Sequence, residues 1–210
     1  MTWAIGDVHG CFDQMMELVD LAPADEKIVF CGDYIDRGHK ILDVMEFVER
    51  NRKNERFVFI RGNHEQMLID AARATFHKED IIEGWTINGG GKTQSAIAFS
   101  GKPLEYWADL FASLPTKWET EANYFVHGGM SPGVDFAHQR DEVLMWYRYR
   151  DDDDFNHGKF LVHGHTPVKK PFIGRHRANI DTGAVYGNGR LLTAVTLDDK
   201  TGKVISMVQA

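Results

Sequence analysis

In the first third of the chain, short apolar runs alternate with apolar residues at helical spacing. Trp3 to Ile5 is a strand-length run, and Phe12, Met15, Met16 and Val19 then fall on one helical face. Ile28 to Cys31 is the next strand. Lys40 to Arg52 follows with Ile41, Val44, Met45 and Val48 at helical spacing, and Phe57 to Ile60 makes a third strand. A third helix, near Glu65 to Thr75, turns Leu68, Ala71 and Ala72 inward. This β-α-β-α-β order predicts an α/β fold, with buried parallel strands joined by right-handed helical crossovers.

Lys78 to Leu114 reads as mostly helical, interrupted by the Gly89-Gly90-Gly91 turn, and is expected to form a small cap beside the sheet. From Asn123 onward strands dominate: Tyr124 to Val126, Lys159 to Val162, Ala178 to Asp181, Leu191 to Leu197 and Lys203 to Val208. They predict a second sheet packed on the first. Asp151 to Asp154 reads as a solvated acidic loop, because the oxygen spacing of a calcium-binding loop is absent. No repeat or linker divides the chain, so residues 1–210 are expected to form a single domain.

Composition narrows the function. The 210 residues are 43% hydrophobic and 26% charged, enough for one sizeable core. Lys plus Arg number 24 against 31 Asp plus Glu, a net charge of −7 that argues against coating nucleic acid or anionic lipid. No stretch is long and apolar enough to span a bilayer, and MTWAIGDVHG does not read as a secretory signal, so the expected location is the cytoplasm. Cys11 and Cys31 are then expected as reduced thiols. The 20 glycines and 10 histidines are what tight turns around a metal or a phosphate require.

Five apolar runs each end in a polar cluster: Gly6-Asp7-Val8-His9-Gly10, Gly32-Asp33-Tyr34-Ile35-Asp36-Arg37-Gly38, Arg61-Gly62-Asn63-His64-Glu65, His127-Gly128-Gly129 and His163-Gly164-His165-Thr166. In an open α/β sheet, ligands bind beyond the strand C-termini, so the five clusters are expected to converge on one edge. Each alone is an ordinary turn; together they are a mixed oxygen and imidazole donor set without thiolate, suited to manganese, iron or zinc. Asp7 and His9 can face one ion while Val8 packs away, and Asp33 can give one oxygen to each of two ions. Asn63, His127 and one of His163 and His165 complete the second. Two cations sharing a carboxylate and a hydroxide form a clamp for in-line attack on phosphorus.

At these residues the chain resembles the calcineurin-like metallophosphoesterases, within them the phosphoprotein phosphatases, and is similar to their short bacterial and phage members and to the diadenosine tetraphosphatases. The resemblance runs from Trp3 to about Leu197. It implies a four-layer β-sandwich flanked by helices, with a two-metal site at one end. It also implies Asp7, His9 and bridging Asp33 on the first metal, and Asn63, His127 and His165 on the second. His64 would be a general acid paired with Asp36, and Arg37 and Arg148 would grip the phosphate oxygens.

Pro167 stands where many wider relatives have a further His, which leaves the first ion an open or water-filled position. His163 is expected as a hydrogen-bonded supporting or core residue, and Arg150 competes with Arg148 for the phosphate role. Trp85 to Thr93 resembles a loop of the bacterial members, whose backbone or Asn88 would touch substrate or which would be a structural turn; Asp181-Thr182-Gly183 reads as a support or a strand-ending turn. His39, His77, His138, His157 and His176 lack a partner motif and read as surface or packing residues.

The implied activity is a metal-dependent phosphohydrolase, first of all a serine/threonine protein phosphatase. The alternative is a dinucleoside polyphosphate hydrolase, with a base pocket built from Trp85, Phe99, Tyr106 or Trp107. A metal-bearing scaffold that binds phosphorylated partners without turnover is the non-enzymatic alternative.

Overall fold

The computed structural model describes residues 1–150 and 153–210. Strands β1 (Thr2–Ile5), β2 (Lys27–Phe30) and β3 (Phe57–Phe59) alternate with helices α1 (Phe12–Leu21), α2 (Ile41–Asn51) and α3 (Asn63–Arg73). β1 pairs with β2 and β2 with β3, both in parallel, as the apolar pattern predicts. Helices α4 (Lys78–Trp85), α5 (Gly91–Ser100) and α6 (Leu104–Ala112) follow, then β4 (Lys117–Glu119), β5 (Asn123–Val126) and α7 (Asp141–Trp146). The chain continues through β6 (Phe160–His163), β7 (Phe172–Ile173), β8 (Arg177–Asn179), β9 (Thr193–Leu197) and β10 (Val204–Gln209).

Two five-stranded sheets result, ordered β10-β9-β1-β2-β3 and β4-β5-β6-β8-β7. The two-residue period of the strands decides what lies on each face. Trp3, Ile5, Ile28, Phe30, Phe57 and Phe59 point to the helices, where they meet Met15, Leu18, Val44, Met45, Val48 and Leu68. Their neighbours Ala4, Val29, Cys31 and Ile60 point the other way, against Phe125, Val162, Ala178 and Ile180 of the second sheet. Each large side chain buried there contributes about 1.5–3 kcal/mol. On the outer face of the second sheet, Val126 and Leu161 pack on Met130, Leu144 and Tyr149.

The differences from the sequence reading are local. β4 and β7 are sheet-edge strands of three and two residues, too short to show a period. The strand expected over Ala178 to Asp181 is Arg177–Asn179, because Asn179 and Asp181 side chains accept the N–H groups of Asp181 and Gly183 and turn the chain. Within the acidic run, Asp151 and Asp152 lie outside the described residues, while Asp154 is half-buried and accepts the Arg175 and His176 N–H groups, so it anchors the turn between β7 and β8. Cys11 and Cys31 are free thiols. No helix among the described residues is long and apolar enough to cross a membrane.

Candidate active site

The polar clusters all leave the C-terminal ends of the parallel strands, β1, β2 and β3 in one sheet and β5 and β6 in the other. They meet at one end of the sandwich. Backbone bonds join them: the Val8 and His9 N–H groups donate to the Asp33 carbonyl at 3.1 and 2.7 Å, and the Gly164 N–H donates to the His127 carbonyl at 2.8 Å. A Cβ at Gly62 would strike Asp33 Oδ1, and one at Gly164 would strike Asp7 Oδ1, so glycine at both places lets the backbone close on the carboxylates. Among the described residues, five of the seven non-glycine positions at positive φ are His9, Asp33, Asp36, Arg37 and His165, a concentration of backbone strain at the cluster.

Asp33 is 2% exposed and lies between two groups. One combines it with His9 and His64, the other with His127 and His165. His9 Nε2 lies 3.4 Å and His64 Nε2 3.8 Å from Asp33 Oδ2, and His127 Nε2 lies 3.3 Å from Oδ1. Asn63 Oδ1 is 2.8 Å from both His127 Nε2 and His165 Nδ1. Asp7 stands beside these groups rather than in them, and accepts the His165 N–H at 3.0 Å.

The donor set fits divalent cations. His9 Nδ1 lies 2.6 Å from the Ile35 carbonyl and His127 Nδ1 lies 2.8 Å from the Cys31 carbonyl; a carbonyl can only accept, so each Nδ1 carries the proton and each Nε2 presents a lone pair inward. At His127 that lone pair faces the Asn63 and Asp33 oxygens, a contact a cation would turn from repulsion into attraction. His165 Nε2 is buried with no partner. Burial pushes the imidazoles of His9 and His165 down to about 3 and about 2 and lowers that of His127, leaving neutral rings of the kind that ligate metal. Burial, then the nearby Asp181 and Asp33 carboxyls, pushes Asp7 well above the usual carboxylate range, and burial raises Asp181 to about 7. Buried acids crowded in this way gain from a shared cation.

His64 differs from the other rings. Its Nδ1 is 2.6 Å from Asp36 Oδ2. Burial alone would lower its pKa, but Asp33 and the Asp36 bond outweigh burial and raise it. The Asp36 bond occupies Nδ1 and orients the ring, with Nε2 3.8 Å from Asp33 Oδ2.

Arg37 Nη1 donates to His9 Nε2 at 2.6 Å, which brings its guanidinium to the first group. Arg148 stands at the edge of the second, with Nη1 3.4 Å from the His165 carbonyl. Arg150 instead uses its backbone, the N–H on Asp153 and the carbonyl on Arg177. His163 is 1% exposed and its Nε2 is 3.2 Å from Arg177 Nη1, so it belongs to the packing behind the site. Asn88 bonds the Gly84 carbonyl. Of the four aromatics expected to build a base pocket in the cap, Trp85 and Trp107 are core residues and the Tyr106 hydroxyl donates to Glu49, while Phe99 is exposed and lines a cavity with Gly38, His39 and Leu42. Two further exposed aromatics stand beside the site, with the Trp146 ring 5.8 Å from His165 and the Tyr186 ring 5.9 Å from the Arg37 guanidinium.

Glu65 is a site-building residue that the sequence reading left without a role. Fully buried, it accepts N–H groups from Gly62, Asp33, Tyr34 and Ile35 at 2.8–3.3 Å and ties the β2 turn to the start of α3. Its signal was available, since a Glu three residues after a helix N-cap is half of a capping box.

Two packed mixed sheets with a carboxylate and imidazole cradle at their strand ends define a metal-dependent phosphoesterase. The chain belongs to the calcineurin-like phosphoesterase family, whose model matches residues 2–199. It is 28% identical to the asymmetrical bis(5'-nucleosyl)-tetraphosphatase PrpE of Bacillus velezensis, over 88% of this chain and 84% of that protein. It is equally similar, at 28%, to serine/threonine-protein phosphatase 1 of Salmonella typhimurium, over 91% of this chain and 90% of that one. A solved protein serine/threonine phosphatase structure from Saccharomyces cerevisiae shares the fold, with a TM-score of 0.68 at 14% identity, covering 100% of this chain and 78% of that one.

Proposed function

We propose that the chain hydrolyses phosphate esters or anhydrides with two divalent cations, of which manganese suits the mixed donor set best and iron or zinc also fit. Asp7, His9 and Asp33 hold the first, and Asp33, Asn63, His127 and His165 the second. When bound, the cations supply an activated water and neutralise charge on the phosphoryl oxygens. Arg37 and Arg148 orient those oxygens through planar guanidinium donors. His64 gives its Nε2 proton to the departing oxygen, and Asp36 holds the ring for that transfer. The observation that carries the reading is Asp33, buried between the two groups with one oxygen facing each.

Phosphoserine and phosphothreonine in proteins are the substrates taken first, supported by the nearly end-to-end likeness to the Salmonella phosphatase. The second reading, a dinucleoside polyphosphate, is favoured by the likeness to PrpE and by Trp146 and Tyr186, whose exposed rings offer stacking faces beside the site. Chelation should abolish turnover of an aryl phosphate and manganese should restore it. Competition between a phosphopeptide and diadenosine tetraphosphate at equal concentration then ranks the two readings, and full turnover by metal-free protein would remove both.

A further inference from the structure

The segment from Trp85 to Thr93 touches the neighbourhood of Asp36 at four places. Trp85 Nε1 donates to Asp36 Oδ2 at 3.0 Å and Oδ1 at 3.2 Å. Thr93 Oγ1 donates to Asp36 Oδ1 at 2.5 Å and accepts the Asp36 N–H at 2.9 Å, so one hydroxyl clips both ends of the residue. The Gly89 carbonyl accepts the Arg37 N–H at 3.3 Å, and Lys92 Nζ donates to the Arg37 carbonyl at 2.7 Å.

These contacts meet a need of the backbone. Asp36 and Arg37 are consecutive residues at φ 70 and 65, a conformation side-chain-bearing residues hold only when their surroundings impose it. Gly89, at φ 108, lies against Arg37 where a Cβ would meet its Cγ at 2.7 Å, and Gly90 lies against the Trp85 indole where a Cβ would meet Nε1 at 2.6 Å. The indole is 2% exposed, and Thr93 and Asp36 are fully buried. With His64 Nδ1 on Oδ2 as well, the Asp36 carboxylate is surrounded by donors and its plane is fixed.

We infer that Trp85 and Thr93 are positioning residues for proton donation to the leaving group, acting through Asp36 on His64, while Gly89 and Lys92 hold the backbone of Arg37. The inference rests on the proposed general-acid role of His64. In the reaction the P–O bond to the leaving group breaks, a P–O bond to the oxygen of the attacking water forms as that water gives a proton to solvent, the His64 Nε2 proton ends on the leaving oxygen, and His64 regains a proton from solvent. Loosening Asp36 lets the ring turn, and the loss falls on substrates whose leaving oxygen needs that proton.

The experiment compares Thr93→Val, Trp85→Phe, Thr93→Ser and His64→Asn with the unaltered protein, all manganese-loaded, on aryl phosphates from dinitrophenyl to phenyl phosphate. His64→Asn should lower kcat by about a hundredfold or more on phenyl phosphate and much less on the dinitrophenyl ester. Thr93→Val and Trp85→Phe should show the same leaving-group slope at about a tenfold loss on phenyl phosphate, with KM and bound manganese unchanged, and Thr93→Ser should recover most of it. A flat loss across the series, or none, in both Thr93→Val and Trp85→Phe while His64→Asn keeps its slope overturns the positioning role alone. A flat series for His64→Asn overturns the general-acid reading and the positioning role with it. Should one variant fail to fold, the other decides.

Discussion

The two groups that share Asp33 are built differently. His9, Asp33 and Arg37 lie within the turns after β1 and β2 of a single sheet, joined by the His9 N–H bond to the Asp33 carbonyl and by the bond between Arg37 and the His9 ring. Asn63, His127 and His165 come from both sheets; the Asn63 side-chain oxygen meets the His127 ring across 64 residues and the His165 ring across 102. Apart from His64, which follows β3, the first group is a local product of one β-α-β unit. The second exists only where two sheets close on one another. A long-range donor set is therefore the part of the site most exposed to changes in packing, while the short-range set is protected by its own turn.

The sharpest way to break this comparison is at the residue both groups share. Asp33→Asn should lower kcat by at least about a hundredfold and reduce bound manganese at both positions, read by turnover and by metal analysis of the desalted protein. Retention of one full equivalent would show that Asp33 serves a single ion.

Next in size is the split between the groups. His127→Ala should remove about one equivalent of manganese and lower the thermal midpoint, because it opens a cavity between the sheets and orphans the Cys31 carbonyl. His9→Ala should also lose about one equivalent but shift the midpoint less, because the Ile35 carbonyl it orphans lies in the same part of the chain and no bond between the sheets is lost. Equal shifts in a melting experiment would erase the distinction.

The smallest effect concerns charge. Asp181 is raised to about 7 by burial first, then opposed by the Gly183 N–H, then raised further by Asp33. An acid whose folded pKa exceeds its unfolded value costs stability as pH climbs from about 4 towards 7, because the unfolded chain gives up the proton first. In chelated protein, Asp181→Asn should raise the thermal midpoint by a few degrees at pH 7.5 and scarcely change it at pH 4. An equal rise at both pH values would assign the effect to packing instead.

The same division between local and distant explains what could be read in the sequence. Strands β1, β2 and β3 were legible because both of their faces are buried and each appears as an apolar run; β4, with its Lys and Glu on a sheet edge, has no such signature. The turns after those strands were legible because each writes its polar residues contiguously. Trp85 and Thr93 read as parts of a glycine-rich loop, and Trp85 also as a base-pocket candidate, but neither as a partner of Asp36, which is 49 and 57 residues away with no spacing rule to connect them. Asp181 stood between two readings for a related reason: its acceptor role towards Gly183 is local, whereas its closeness to Asp7 depends on how the sheets meet.

The bond from the His127 ring to the Cys31 carbonyl spans 96 residues and ties one sheet to the other at their strand ends. A chain in which only the N-terminal β-α-β unit has formed can offer a cation its first nest and, of the second, only the shared Asp33. On the proposed two-cation reading, uptake of the second ion would serve as a clock for assembly: it would mark the moment the sandwich shuts, and a stopped-flow trace of metal capture would follow the closing of the fold itself.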